Sequence, residues 1–161
     1  MCTTGTAERP DARSGYRGGM GLALDDAFAF VSARSQGVLV TRRRSGRPQL
    51  SNILYVAGPD HTVEISVTDS RAKTANLRRH PEASLHVTSD DFWSYVVLDG
   101  TVDLSPVAAA VDDPVVDSLV AMYRQARGEH PDWDEFRAAM VDQGRILATL
   151  RADSAYGILP R

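Results

Sequence analysis

Two spacings of apolar residues alternate along the chain. In "LDDAFAFVSARSQ" (Leu24 to Gln36), Leu24, Ala27, Phe28 and Val31 recur at helical intervals, which predicts a first helix with Asp25 or Asp26 serving its N-terminus. The period then shortens. "GVLVT" (Gly37 to Thr41) is a short β-branched run, and the Ser45-Gly46 turn of "RRRSGRP" folds it back on "QLSNILYVA" (Gln49 to Ala57) as a hairpin. After the turn "GPDH", the run "TVEISVT" (Thr62 to Thr68) sets Val63, Ile65 and Val67 on one face and Glu64, Ser66 and Thr68 on the other. "ASLHVTS" (Ala83 to Ser89) and "FWSYVVLDGTVDLS" (Phe92 to Ser105) read as two more strands, the second interrupted at Asp99-Gly100 by a bulge or a tight turn. Helical spacing returns in Asp112 to Gly128, with Pro114 in its first turn and Val116, Leu119, Val120 and Tyr123 on one face. It holds in Pro131 to Gly144, where Trp133, Phe136 and Met140 align, and "RILATLRADSAYGI" (Arg145 to Ile158) closes the series as a strand.

About six strands with short, hairpin-like connections predict a small closed antiparallel barrel with helices outside it, rather than a doubly wound sheet. A chain of 161 residues is most simply one domain, expected over residues 22–161. Residues 1–21, rich in Gly, Thr, Ser and Arg, read as a disordered extension. The net charge of −3 gives no global pull towards nucleic acid, so a basic site must be local. The single cysteine, Cys2, excludes an internal disulfide and fits a reducing cytoplasm. No apolar run approaches the ~20 residues that cross a bilayer, and the first residues lack the apolar centre of a secretory signal. A cytoplasmic protein without a membrane partner is expected.

Most candidate chemistries lack their pattern. His61, His80, His86 and His130 are scattered, none paired with a cysteine cluster, so no metal site is expected. There is no G-x-S-x-G elbow, no phosphate-cradling G-x-x-x-x-G-K-[ST] loop, and no strand-linked G-x-G-x-x-G; "GYRGGMG" has no strand before it. Arg42 to Arg44 sit in a hairpin turn of an acidic protein and read as a solvated loop. The aromatics of "RGEHPDWDEF" read as packing at the edge of the core.

"DSRAKTANLRRHP" (Asp69 to Pro81) is different. Asp69 or Ser70 is a suitable N-cap, which places Arg71 and Lys73 in the first turn of a helix. Cations there add to the positive end of the helix dipole and cost stability unless an anion compensates; Arg78 and Arg79, at the other end, suit the dipole unaided. Free N–H groups, dipole and two cations together describe an anion seat. Ser66 and Thr68 lie on the polar face of the strand that feeds it. Arg47, Gln49 and Ser51 alternate on one face of the preceding strand, and Trp93 and Tyr95 share a face of the long strand with Ser94 opposite. A planar ring with a phosphate tail would use such a set.

"GVLVT…GRPQLSN", "ISV…SRAKTANLRRHP", "WSYVVLDGTVDL" and "GEHPDWDEFRAAMV", in this order, resemble the pyridoxamine 5′-phosphate oxidase-like split-barrel proteins. The similarity extends from Leu24 to the C-terminus and is greatest to the actinobacterial flavin/deazaflavin oxidoreductases that bind coenzyme F420. The resemblance implies a six-stranded antiparallel split β-barrel of the FMN-binding type, mostly β with flanking helices, and a homodimer with two cofactor sites at the subunit interface. It implies that Arg71 and Lys73 hold the cofactor phosphate and that Ser66 and the backbone of Val67 and Thr68 line the same pocket. Gln49 with Pro48, and less directly Arg47, would approach the ring; Trp93, Ser94 and Tyr95 would enter from the partner chain. No catalytic acid or base carries over, Tyr95 or an ordered water being the candidate proton source.

The ring of such a cofactor carries the hydride while the protein binds and orients it. The implied activity is transfer of a hydride from reduced F420 to a small acceptor such as a quinone, an enone or a tetrapyrrole. Three alternatives stay open: an FMN-dependent oxidoreductase, a non-catalytic F420 carrier, and a nucleic-acid-binding barrel using Arg42 to Arg44 and the N-terminal extension, whose mark would be steep salt dependence.

Overall fold

The computed structural model describes residues 21–160. Cys2 and, apart from Gly21, the extension assigned to residues 1–21 lie outside the described residues. In chain order the elements are α1 (Leu24–Ser32), β1 (Gln36–Arg42), β2 (Pro48–Leu54), β3 (Val56–Ala57), β4 (Thr62–Thr68), α2 (Ala72–Arg79), β5 (Glu82–Thr88), β6 (Tyr95–Leu104), α3 (Pro114–Arg127), α4 (Trp133–Asp142) and β7 (Arg145–Ile158). All strand pairings are antiparallel, in the order β2-β1-β5-β6-β7-β4-β3.

Among the described residues the sheet has seven strands where six are expected. The additional one arises because the expected strand Gln49 to Ala57 breaks at Tyr55. Before the break β2 pairs with β1, with Leu54 opposite Gln36; after it β3 pairs with β4, with Val56 opposite Glu64. One continuous stretch of chain therefore forms both edges of the sheet and curls it into a barrel. Tyr55 anchors the crossing: its amide donates to the Ser35 carbonyl at 2.9 Å and its hydroxyl to the Val31 carbonyl at 2.8 Å. The side chain is 1% exposed, and burial pushes its hydroxyl far above the ordinary tyrosine range, so the group acts only as a neutral donor. Tyr55→Phe leaves the Val31 carbonyl without this partner and should cost about 1–2 kcal/mol, read as a lower urea midpoint with an unchanged slope.

Alternation fills the barrel. Leu39, Val63, Leu85, Leu98, Ile146 and Leu150 are fully or almost fully buried within it, and Phe28 and Val31 of α1 close one side. A second cluster, Val116, Leu119 and Met140 with Ala108, joins α3 to α4 over the flank of the barrel. Pro114 occupies the first turn of α3, and Asp132 caps α4 by accepting from the Glu135 amide at 2.9 Å. Asp99-Gly100 is a bulge, where the β6–β7 register shifts. Among the described residues no helix is long and apolar enough to cross a membrane.

Two local expectations are corrected. The strand expected over Phe92 to Ser105 starts only at Tyr95. The preceding residues form a loop stitched by short polar side chains: the Ser89 amide donates to the Ser94 carbonyl at 2.8 Å, the Ser94 amide to Ser89 Oγ at 3.0 Å, and the Trp93 amide to Asp91 at 3.1 Å. These local bonds outcompete the strand ladder, so Trp93 and Tyr95 do not share a strand face. At α2 the N-cap is Arg71, with no side-chain cap, in place of Asp69 or Ser70. Asp69 is engaged elsewhere, in an ion pair with Arg78.

Candidate functional site

The short helix α2 is fastened to the barrel by its polar residues. Thr74 Oγ1 donates to the Thr68 carbonyl at 2.9 Å, and the Asn76 amide donates to Thr41 Oγ1 at 3.1 Å and to Gln49 Oε1 at 3.2 Å. Asn76 Oδ1 in turn accepts from Arg79 at 2.6 Å. Thr74 and Asn76 are buried, so the helix is held in one orientation. Arg78 and Arg79 are thereby committed to Asp69 and Asn76, at the end of the helix that suits them. Arg71 and Lys73 remain at the positive end.

Lys73 points into a cleft of about 340 Å³ that also takes Ser66, Arg145 and Arg127 along its lining. Asn52 to Leu54 of β2 form one wall, and Tyr123 and Phe136 of the two C-terminal helices face it. Among the described residues that line it, three side chains are cationic and none is acidic, in a chain of net charge −3. Lys73 registers the imbalance: burial, then the charges of Arg71 and Arg145, hold its amine below the ordinary lysine value. An anion placed there would relieve both repulsions. The donor set, two kinds of cation and a hydroxyl, fits a phosphate.

This depression has a signed consequence. In the ligand-free protein the charged form of Lys73 is disfavoured by folding, so its penalty is present at neutral pH. The penalty lifts as pH rises through the lowered pKa towards the ordinary lysine value. A bound phosphate favours the protonated amine, so phosphate affinity should fall over the same rise in pH. Titrations with inorganic phosphate at a series of pH values check this, and in a Lys73→Gln variant that part of the pH dependence should vanish.

The expected site residues divide. Ser66 and Lys73 come together in the cleft, with Arg71 close enough to act on Lys73. Val67 turns its side chain into the core, and the Thr68 carbonyl is taken by Thr74 and the Arg71 amide. Gln49 sits against α2 through Asn76. Pro48 borders another concavity beside Gly46, and Arg47 is exposed in the hairpin. Trp93 is 81% exposed in the β5–β6 loop, Ser94 is buried as its stitch, and Tyr95 stacks on His86 with ring centroids 5.6 Å apart. Trp93, Ser94 and Tyr95 do not border the cleft of their own chain.

In the sequence Arg145 marks only the start of a strand, with nothing to link it to α2. Register is what delivers it: Arg145 pairs with Thr68, at the end of β4 that leads into α2. Trp133 and Phe136 pack as expected, in an aromatic cluster with Tyr123 and His130 whose centroids lie 5.0 to 5.8 Å apart, and Tyr123 and Phe136 also wall the cleft.

The pattern of the pyridoxamine 5′-phosphate oxidase family matches residues 24–155. The chain belongs to that family. Solved structures with the same fold as this pyridoxamine 5′-phosphate oxidase family member include an F420 reductase, 19% identical over 80% of this chain and 94% of that one, with a TM-score of 0.61. A conserved hypothetical protein from Mycobacterium tuberculosis is 20% identical over 92% and 95%, with a TM-score of 0.67. A heme binding protein from Mycobacterium smegmatis is 17% identical over 85% of this chain and 54% of that one, with a TM-score of 0.63. These similarities establish the fold: a mostly β, antiparallel half-barrel with flanking helices.

Proposed function

We propose that the protein is an F420H2-dependent reductase that holds the deazaflavin cofactor in the cleft beside α2 and serves a small organic acceptor, a quinone, an enone or a tetrapyrrole. The observation that carries this reading is the cleft's charge: Lys73, Arg127 and Arg145 line it, with no carboxylate among the described lining residues. Its likeness in fold to an F420 reductase supports the choice of ring. When bound, the cofactor supplies the hydride chemistry that no side chain can. The chain's own residues do the rest. Lys73 and Arg145, with Arg71 beside them and the Ser66 hydroxyl, hold the phosphate. The β2 wall from Asn52 to Leu54 orients the ring, and Leu119, Met122 and Met140 exclude water from it. Gln49 acts through Asn76, which fixes α2 and so the position of Lys73.

Two copies of the chain pair in this reading, with a cofactor site at each end of their interface. The exposed apolar residues Leu50, Leu54, Phe92, Trp93 and Ile158 supply its contacts. Trp93 and Tyr95 of each copy then reach the other's site, and Tyr95 is the candidate proton donor.

The same phosphate seat suits FMN, and membership of the pyridoxamine 5′-phosphate oxidase family favours that ring as the second reading. Titration of the purified protein with oxidised F420 and with FMN, followed by ligand fluorescence, separates them. Tight F420 binding with negligible FMN binding supports the lead; the reverse selects FMN; binding of neither overturns both. Single-turnover oxidation of the reduced cofactor by candidate acceptors then distinguishes a reductase from a carrier.

A further inference from the structure

Among the described residues, Arg78, Arg124, Arg137 and Arg151 are tied to carboxylates, those of Asp69, Glu129, Asp117 and Asp103. Arg145 is held differently. Its Nε donates to Oε1 of Gln143 at 2.9 Å, and it makes no ion pair among the described residues. Acids are not scarce, since the chain carries 21 of them against 18 lysines and arginines. The acceptor at this arginine of the cleft is nonetheless neutral.

The backbone fixes both partners. Gln143 ends α4, its amide donating to the Ala139 carbonyl at 3.0 Å. Gly144 then takes a φ of 57°, in the left-handed region that favours glycine, and turns the chain into β7. The Gly144 carbonyl accepts from the Asp69 amide and the Arg145 carbonyl from the Ala108 amide, both at 2.9 Å. Arg145 also lies opposite Thr68 in the β4–β7 ladder, so this turn is fastened to the segment that leads into α2 and Lys73. The Arg145 side chain is what remains to be ordered, and the bond to Gln143 removes part of its freedom. With Nε engaged, the outer N–H groups of the guanidinium make no other hydrogen bond among the described residues, while the side chain lines the cleft with Lys73. A carboxylate acceptor would hold the guanidinium too, but would offset its charge towards a ligand. An amide holds it and leaves the charge in place.

We propose that Gln143 is a positioning residue of the anion seat, which orients the Arg145 guanidinium without neutralising it. This rests on the reading of the cleft as a phosphate site. Arg145 touches the anion; Gln143 acts only through Arg145. Because residue 143 is neutral, the charges of Arg145 and Lys73 stay available to a phosphate.

The test is calorimetric titration of the full chain at neutral pH with inorganic phosphate, and in parallel with FMN and oxidised F420. Wild type is compared with Gln143→Met, Gln143→Glu, Arg145→Gln and the double variant Gln143→Met/Arg145→Gln. Gln143 is exposed, so its substitutions leave the core untouched. Gln143→Met removes the acceptor and should weaken phosphate binding about three- to tenfold, the ordering cost of one long side chain. In the Arg145→Gln background it should add nothing. Gln143→Glu keeps an acceptor, so a merely structural bond would leave binding unchanged. It should instead weaken phosphate binding about tenfold or more, the loss of one charge-assisted contact. In the same variant the Lys73 pKa, read by NMR of its side-chain carbon, should rise towards the ordinary lysine value. Wild-type affinity in either single Gln143 variant, or an equal loss with and without Arg145, overturns the role of Gln143 and leaves the phosphate seat standing. Wild type that binds phosphate but neither ring overturns the cofactor reading, while the Gln143 comparison is decided on phosphate. Wild type that binds none of the three overturns both.

Discussion

Lys73→Ala is expected to lose about 10- to 100-fold in affinity for the phosphate-bearing cofactor, while the ligand-free variant melts at a higher temperature than wild type. The loss follows from removing one charge-assisted hydrogen bond, worth about 1.5–3 kcal/mol. The gain in stability has a separate origin. Lys73 is partly desolvated beside Arg71 and Arg145, and the lowered pKa of its amine records the repulsion it bears in the ligand-free protein. A site that waits for an anion pays for its readiness in stability. Arg71→Ala should weaken binding in the same direction and by less, because Arg71 is exposed and lies outside the cleft lining. Calorimetry with the cofactor and thermal melts without it give both numbers. Unchanged affinity in both variants, or a Lys73→Ala protein that is less stable without ligand, would contradict the assignment.

A large effect on the fold is expected at Gly100. A Cβ built there overlaps the Arg151 carbonyl and crowds the Ala152 backbone on β7, and backbone cannot yield as a flexible side chain can. The position is buried, at the bulge where the register of β6 against β7 slips. Gly100→Ala should therefore cost about 3 kcal/mol, the upper end of overpacking, or force the two strands apart. Since β6 and β7 are central strands of the barrel, a urea titration should show a clearly lowered midpoint. A cost below about 0.5 kcal/mol, typical of a surface substitution, would mean that the close approach at the bulge is not a feature of the folded protein.

What the sequence made legible follows the reach of local forces. The strands β4 and β7 lie where their alternation and flanking turns predict, because a regular two-residue period bounded by Gly, Pro and Asp has few alternative readings. The break at Tyr55 was not legible. No turn residue marks it, and its cause is tertiary, in bonds to Ser35 and Val31. Phe92 to Ser94 has strand-like composition, yet its serines and Asp91 satisfy the backbone locally and make a loop. At the site, the helix dipole singles out Arg71 and Lys73 from within one segment. Arg145 and Arg127 could not be found that way, because pairing of distant strands and docking of α3 bring them to the cleft.

The central claim is a location: the phosphate of the cofactor sits between α2 and the ends of β4 and β7. A crystal structure of the protein with whichever of F420 or FMN it binds tests this most directly. The account predicts phosphate oxygens within hydrogen-bond distance of Lys73 and Arg145, with the Ser66 hydroxyl beside them and the ring along Asn52 to Leu54. The contrary result is a cofactor in the larger concavity of about 840 Å³ on the outer face of β1 and β5, beside Arg34 and His86, with no contact to Lys73.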